Sequence, residues 1–244
     1  MQFLMMKQFI KRILNRAGFD VVRISRKPEH TLVGLRSFPF RTIIDVGANT
    51  GQFARKIMSI FPQAQIYSFE PLPEPFRILQ GWAVQQLDER VVAFNVALGD
   101  DEGMFEMFKH LDHCPSSSFL RSTGVCEGYY PFIKQQASVS VDMRTLDGFL
   151  VDKSISLLPP ILIKLDVQGF EDRVIKGGRR TFERSDACIV EIGLDPLYEG
   201  QAYFTDVTTL LKELGYKYAG NLQQKYVEGG QVAYVDAVFT KRAG

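Results

Sequence analysis

The apolar run Thr42-Ile43-Ile44 leads directly into Asp45-Val46-Gly47-Ala48-Asn49-Thr50-Gly51, and no other stretch constrains this chain as strongly. Phe53, Ile57, Met58, Ile60 and Phe61 follow at helical spacing up to Pro62, so the order is strand, glycine loop, helix. Such a unit commits the chain to a parallel sheet with helices packed on it. A glycine without Cβ can take φ > 0 and bring the backbone close to a ligand, while a helix opening after Gly51 points free N–H groups at it. Asn49 fills the middle glycine position of an acidic-G-x-G-x-G turn, and asparagine tolerates the left-handed region better than most residues.

A second short strand, Gln65-Ile66-Tyr67-Ser68-Phe69, ends in Glu70-Pro71. A carboxylate at that point can accept hydrogen bonds from both ribose hydroxyls of a nucleoside lying across the first loop. Further strands are expected near 91–97, at 161–166 and at 188–192, and helices at 51–60, 73–86, 145–150, 170–177 and 203–214. The stretch 100–141 reads as irregular or β-rich. Two closing strands near 216–220 and 232–240, separated by Glu228-Gly229-Gly230, are expected to form an antiparallel pair.

In that order Asp45 to Gly51, Phe69-Glu70-Pro71, Asn95-Val96-Ala97-Leu98-Gly99-Asp100, Ser116-Ser117-Ser118, Thr145-Leu146-Asp147 and Lys164-Leu165-Asp166-Val167-Gln168-Gly169-Phe170-Glu171 resemble the FkbM family of S-adenosylmethionine-dependent methyltransferases, from about residue 40 to 240. One departure is Gln168, where the family often carries Glu. The resemblance implies a class I methyltransferase fold, an α/β Rossmann-like three-layer sandwich whose mostly parallel seven-stranded sheet has an antiparallel last strand. It implies S-adenosyl-L-methionine as cofactor and O-methylation of a hydroxyl on a sugar, glycan or natural product. The expected cofactor-binding residues are Asp45, Gly47, Ala48, Asn49, Gly51, Glu70, Pro71, Ala97, Leu98 and Asp166. Near Ala97 the small side chain would leave room for an adenine face.

Lys164 and Asp166 alternate along one strand and share a face, with Asp166 at the carboxyl end where open α/β sheets bind ligands. Asp166 is therefore the first catalytic candidate. Its carboxylate could take the proton of an attacking hydroxyl, directly or through water, or hold the cofactor's ammonium group; the structural alternative is a helix cap. His113 is the second candidate, since an imidazole near its ordinary pKa of about 6.5 suits proton transfer at neutral pH. Against it stands a merely solvated loop histidine. The segment 110–132 also carries His110, Asp112, Ser116, Ser117, Ser118, Arg121, Tyr129 and Tyr130, polar groups suited to a hydroxyl-rich substrate or to a flexible lid. Glu191 divides evenly between substrate contact and a surface turn, and Glu171 reads as a structural acid in a first helical turn. No metal is expected, because no second acid or Asn follows Asp166.

The formal net charge of +1 gives no electrostatic footprint for nucleic acid. Three cysteines at spacings matching neither a disulfide framework nor a zinc site fit a reducing compartment. No apolar run approaches the roughly 20 residues a membrane span needs. Phe3, Met6, Ile10, Ile13, Leu14 and Ala17 fall on one helical face and Lys7, Lys11, Arg12 and Arg16 on the other, so residues 1–34 are set apart as a basic amphipathic helix and linker before a domain at 35–244, and the stretch from Lys27 to Arg41 reads as linker up to the first strand. That helix either lies against anionic lipid or packs on the domain or a second subunit. The expected location is cytoplasmic, with peripheral contact at the inner membrane face as the extension. Two other classes stay open: an NAD(P)-dependent oxidoreductase, which lacks a third glycine and a Tyr-x-x-x-Lys pair here, and a non-catalytic scaffold at a membrane surface.

Overall fold

A computed structural model describes residues 12–19, 27–86, 89–111, 114–133 and 135–241. His113, Asp112 and most of the basic N-terminal segment lie outside the described residues. In chain order the strands are β1 (Thr42–Val46), β2 (Gln65–Phe69), β3 (Val91–Phe94), β4 (Ala97–Gly99), β5 (Gly103–His110), β6 (Gln136–Thr145), β7 (Ile161–Leu165), β8 (Ala187–Gly193), β9 (Lys217–Tyr226) and β10 (Val232–Thr240). Seven of them form one sheet in the order β3-β2-β1-β7-β8-β10-β9, with β10 antiparallel to both of its neighbours.

Every residue of β1 and β7 is buried, as expected of central parallel strands covered on both faces. Alternation splits their apolar side chains between two cores. Ile44, Val46, Ile163 and Leu165 pack with Phe149, Val174, Phe182 and Leu211 on one face; Ile43, Leu162, Ile189 and Val238 pack with Ala54 and Ile57 on the other. Each covering helix supplies a stripe at its own period, Ala54 and Ile57 from helix Gln52–Ile60 and Val207 and Leu211 from helix Phe204–Glu213. The strand order reverses between β1 and β7, so the carboxyl ends of these strands open a crevice where ligands bind in such sheets.

Three stretches differ from the sequence reading. Lys27–Arg41, read as a linker, carries a short helix Pro28–Thr31 and a 3₁₀ segment Leu32–Ser37, and Leu32, Leu35 and Phe40 complete the second core. The third strand stops at Phe94, not at Val96 or Ala97, because Asn95 and Val96 turn the chain into β4, which pairs with β6 in a separate three-stranded sheet. The stretch 100–141 is built around the long antiparallel pair β5 and β6 of that sheet, from Gly103↔Met143 to His110↔Gln136. Among the described residues no helix is long and apolar enough to cross a membrane.

Candidate active site

The β1 loop is bent by three left-handed residues, Gly47 (φ 76°), Asn49 (φ 47°) and Gly51 (φ 88°). The glycines have a reason the sequence did not show. A Cβ on Gly47 would stand 1.8 Å from the carbonyl oxygen of Asp166, and one on Gly51 would stand 2.9 Å from Leu79 Cδ1. Gly47 is therefore demanded by packing against the neighbouring strand end, and Gly51 chiefly by its left-handed backbone, beside the tip of a leucine from helix Pro73–Ala83. Asn49 Oδ1 accepts from the Thr50 N–H at 2.8 Å, which steadies the loop.

Glu70 locks the next strand end to this loop. Its Oε2 accepts from the Asn49 N–H at 2.8 Å and its Oε1 from the Leu72 N–H at 2.9 Å. The Asn95 amide in turn donates to the carbonyls of Glu70 and Pro71 at 2.9 and 2.8 Å, so Asn95 holds the turn that aims the carboxylate. Burial pushes the Glu70 carboxyl up to about 7, against the pull of the two amides.

Extending the sheet register one residue past the paired rows places Gly47, Glu70, Asp166 and Glu191 in one line, and Asp236 pairs directly with Glu191. Four of these five strand tips carry a carboxylate. Two rows deeper, and so on the same face, Asp45 pairs with Lys164. Lys164 Nζ bonds Asp166 Oδ2 at 2.7 Å. Burial works against its charge, but the carboxylates of Asp166 and Asp45 outweigh burial and hold it protonated. Burial raises Asp45 to about 6, with Lys164 pulling down and Asp166 pushing up. Burial, then the charges of Asp166 and Asp236, push Glu191 well above the ordinary carboxylate range.

Gln168 joins the row. Its Nε2 donates to Asp166 Oδ1 and to Glu191 Oε1, both at 2.7 Å, and its Oε1 accepts from the Tyr198 hydroxyl at 2.7 Å. Gln168 itself is left-handed (φ 56°), and Ser118 Oγ donates to its carbonyl at 2.7 Å. Ser117 and Ser118 are buried, and Ser117 Oγ accepts from the His110 N–H at 3.1 Å. The serine run thus anchors the site and is not a loose lid. Glu171 is buried and accepts from the Val167 and Gly169 N–H groups at 3.1 and 3.2 Å, so it caps the loop before its helix; burial raises it to about 7.

A cavity of about 550 Å³ gathers Gly47, Ala48, Asn49, Glu70, Pro71, Ala97, Leu98 and Asp166 along one wall. Asp45 and Gly51, also expected to bind the cofactor, do not line it. The cavity also takes in Glu191, which the sequence left even between substrate contact and a surface turn, and Lys164, Gln168, Tyr198 and Asp236, which it did not single out as ligand contacts. His110 is buried with its ring against the Ile133 carbonyl and does not line it. Tyr129 is turned away to Asp195 at 2.7 Å, and Arg121 lies over the Phe108 ring at 4.6 Å. Cys126 and Cys188 are buried free thiols. Among the described residues no three His, Cys, Asp or Glu side chains are placed to hold a metal ion.

The family model described as the methyltransferase FkbM domain matches residues 45–218. The 2-O-methyltransferase NoeI of Sinorhizobium fredii is 28% identical over 192 residues, 77% of each chain. The hexuronic acid methyltransferase AglP of Haloferax volcanii is 28% identical over 171 residues, 69% of this chain and 60% of that protein. The crystal structure of the methyltransferase FkbM from Methylobacillus flagellatus KT superposes with a TM-score of 0.51 at 13% identity, covering 83% of this chain and 44% of that one. The oxidoreductase and scaffold alternatives find no support among these matches. The seven-stranded sheet with its antiparallel last strand is the class I methyltransferase fold, and with a family model covering most of its length the chain belongs to the FkbM methyltransferase family.

Proposed function

We propose that this methyltransferase uses S-adenosyl-L-methionine to O-methylate a hydroxyl of a sugar, glycan or natural product. The observation that carries the proposal is the row of strand-tip carboxylates along a single cavity, anchored at one end by Glu70 and extending past Asp166 to Glu191 and Asp236. The cavity's volume lies within the roughly 300–1,000 Å³ of small-molecule sites. The cofactor would supply a methyl carbon on a cationic sulfur that leaves as a neutral thioether. An acid-rich wall suits that positive charge. Glu70, its carboxylate aimed by main-chain amides, keeps lone pairs for ribose hydroxyls, and Ala97 and Leu98 offer small apolar surface to a base. Asp45, Gly47, Ala48, Asn49, Gly51 and Pro71 shape and support this half, and Asp166 faces the cofactor's amino-acid end.

Beyond Asp166 the wall is hydroxyl-binding chemistry: carboxylates, the Gln168 amide and the Tyr198 phenol. The names of NoeI, a 2-O-methyltransferase, and AglP, which acts on a hexuronic acid, support a sugar hydroxyl as acceptor. Aligning two reactants can contribute about 7–11 kcal/mol, and a side-chain base about 10²- to 10⁴-fold, so positioning is the larger part of catalysis.

Calorimetry with S-adenosylhomocysteine tests the cofactor half. Glu70→Ala should weaken binding about 10- to 100-fold, the loss of charge-assisted hydrogen bonds, and cost about 1–3 kcal/mol of stability for the N–H groups left without an acceptor, with the fold retained. Because Glu70 must be ionised to accept two hydroxyls, wild-type affinity should fall about tenfold from pH 8 to pH 6, through its value near 7. Binding unaltered in Glu70→Ala removes Glu70 from the site.

A further inference from the structure

Asp166 and Glu191 share the Gln168 amide but differ in what else they hold. Asp166 has both oxygens engaged, Oδ2 by the Lys164 ammonium and Oδ1 by the amide. Glu191 accepts the amide's other proton on Oε1 and makes no hydrogen bond through Oε2 among the described residues. A carboxylate already paired with a buried ammonium gives up that pairing when it is protonated, whereas one hemmed in by other acids is relieved. Glu191 is hemmed in from every side. Asp166 and Lys164 face it from β7, Asp236 and Tyr234 from β10, and Tyr198 and Tyr130 from the loops above; of these only Lys164 is cationic.

On the reading that the chain methylates a hydroxyl, we infer that the hydroxyl's proton passes to Glu191 and not to Asp166, with Gln168 as the residue that positions both. In that step the oxygen lone pair forms the O–CH₃ bond while the S–CH₃ bond breaks. Its electron pair stays on sulfur, the proton moves to Glu191 Oε2, and the neutral acid later returns it to solvent. Asp166 keeps its pairing with Lys164 and the Gln168 amide and serves the positive charge of the cofactor.

Gln168 explains why the two acids can differ. An amide nitrogen has two protons and the amide oxygen accepts, so one side chain bonds both carboxylates and still takes the Tyr198 hydroxyl. A glutamate at this position would place a third carboxyl between the other two, and one proton would be shared among them. The loop leaves the side chain little freedom. Gln168 is left-handed and tied by Ser118, and a Cβ on Gly169 (φ 96°) would stand 3.0 Å from Gln201 Cβ.

The test labels the full-length protein with ¹³C at the Asp and Glu side-chain carboxyls and follows it by NMR with bound S-adenosylhomocysteine, from about pH 5 to 9. Glu191→Gln and Asp166→Asn assign the signals. The Glu191 carboxyl should take up a proton well above the ordinary carboxylate range, and Gln168→Glu should shift that uptake by placing a third carboxyl beside it. The reverse assignment, Asp166 protonating while Glu191 stays charged, overturns the inference. Methyl transfer to a panel of defined hexuronic acids and neutral sugars supplies the second readout. Glu191→Gln should lower kcat by about 10²- to 10⁴-fold and flatten the acid limb of its pH profile, with acceptor KM and S-adenosylhomocysteine affinity within about threefold. A variant with kcat within threefold of wild type also overturns it. A panel with no methylated member counts against sugar O-methylation, and the NMR titration still decides which carboxylate takes the proton.

Discussion

At the β2 end of the cleft a single carboxylate, Glu70, is aimed by main-chain N–H groups of Asn49 and Leu72, whereas at the β7–β8 end Asp166 and Glu191 are aimed by the side chains of Lys164 and Gln168. The difference is one of tolerance. Main-chain donors survive most substitutions around them, so the Glu70 half depends on backbone shape and therefore on glycine and asparagine. Side-chain donors vanish with a single change, so the Asp166–Glu191 half can be altered one residue at a time.

Gly47→Ala is the harshest way to break the comparison, because the added Cβ meets the Asp166 carbonyl at the seam between the halves. β1 and β7 would have to part where the Asp166 N–H donates to the Val46 carbonyl at 3.0 Å. We expect a loss of more than about 4 kcal/mol in urea unfolding, with both halves damaged together. A variant that folds normally and loses only cofactor affinity would return Gly47 to the role the sequence suggested, close approach to a ligand.

Asp45→Asn probes what lies beneath both halves. The carboxylate is buried, has no hydrogen-bond partner among the described residues, and is raised from 3.8 to about 6 by burial. A raised carboxyl favours the fold below its unfolded pKa and loses that contribution as pH climbs through the folded value. Wild type should therefore be less stable at pH 8 than at pH 5. Asparagine should gain up to about 3 kcal/mol at pH 8 and about half of that at pH 5. An unfolding free-energy difference that does not change with pH would mean that Asp45 titrates normally.

Legibility in the sequence followed the same divide. The strand tips at Asp45–Gly51 and Glu70–Pro71 could be read because each is one contiguous apolar run followed by its own turn residues. The αL residue Asn49 could be read for the same local reason. Gln168 could not, and Glu191 only as an even choice between substrate contact and a surface turn, since their meaning comes from register: the alternation that put Lys164 and Asp166 on one face reaches Glu191 only after β8 is aligned beside β7. The buried Leu32 and Leu35 were hidden by a backbone with Leu32, Val33 and Gly34 all at positive φ, which no helical spacing announces. β5 was hidden by its exposed face, with Gly103, Met104 and Glu106 at the surface and Met107 alone buried before His110. Ser116–Ser118 look like a lid in sequence because their partners lie far along the chain, at Gln168 and Tyr198.

Tyr198→Phe should have the smallest effect and gives the sharpest test of whether the halves are independent. The phenol is nearly buried, at 4% exposure, and its proton is shared between Gln168 Oε1 at 2.7 Å and the Ser116 carbonyl at 3.0 Å. Losing it removes a neutral hydrogen bond worth about 0.5–1.5 kcal/mol and leaves the amide oxygen of Gln168 without that donor. The amide keeps its two bonds to Asp166 and Glu191 but loses the group that fixed its oxygen, which loosens the Asp166–Glu191 side without touching Glu70. We expect kcat to fall about 3- to 10-fold. S-adenosylhomocysteine affinity, read by calorimetry on the same preparation, should stay at its wild-type value, because Asn49 and Leu72 still aim Glu70. A matching drop in affinity would show that the carboxylate row acts as one unit, and the distinction between a backbone-built and a side-chain-built half would fail.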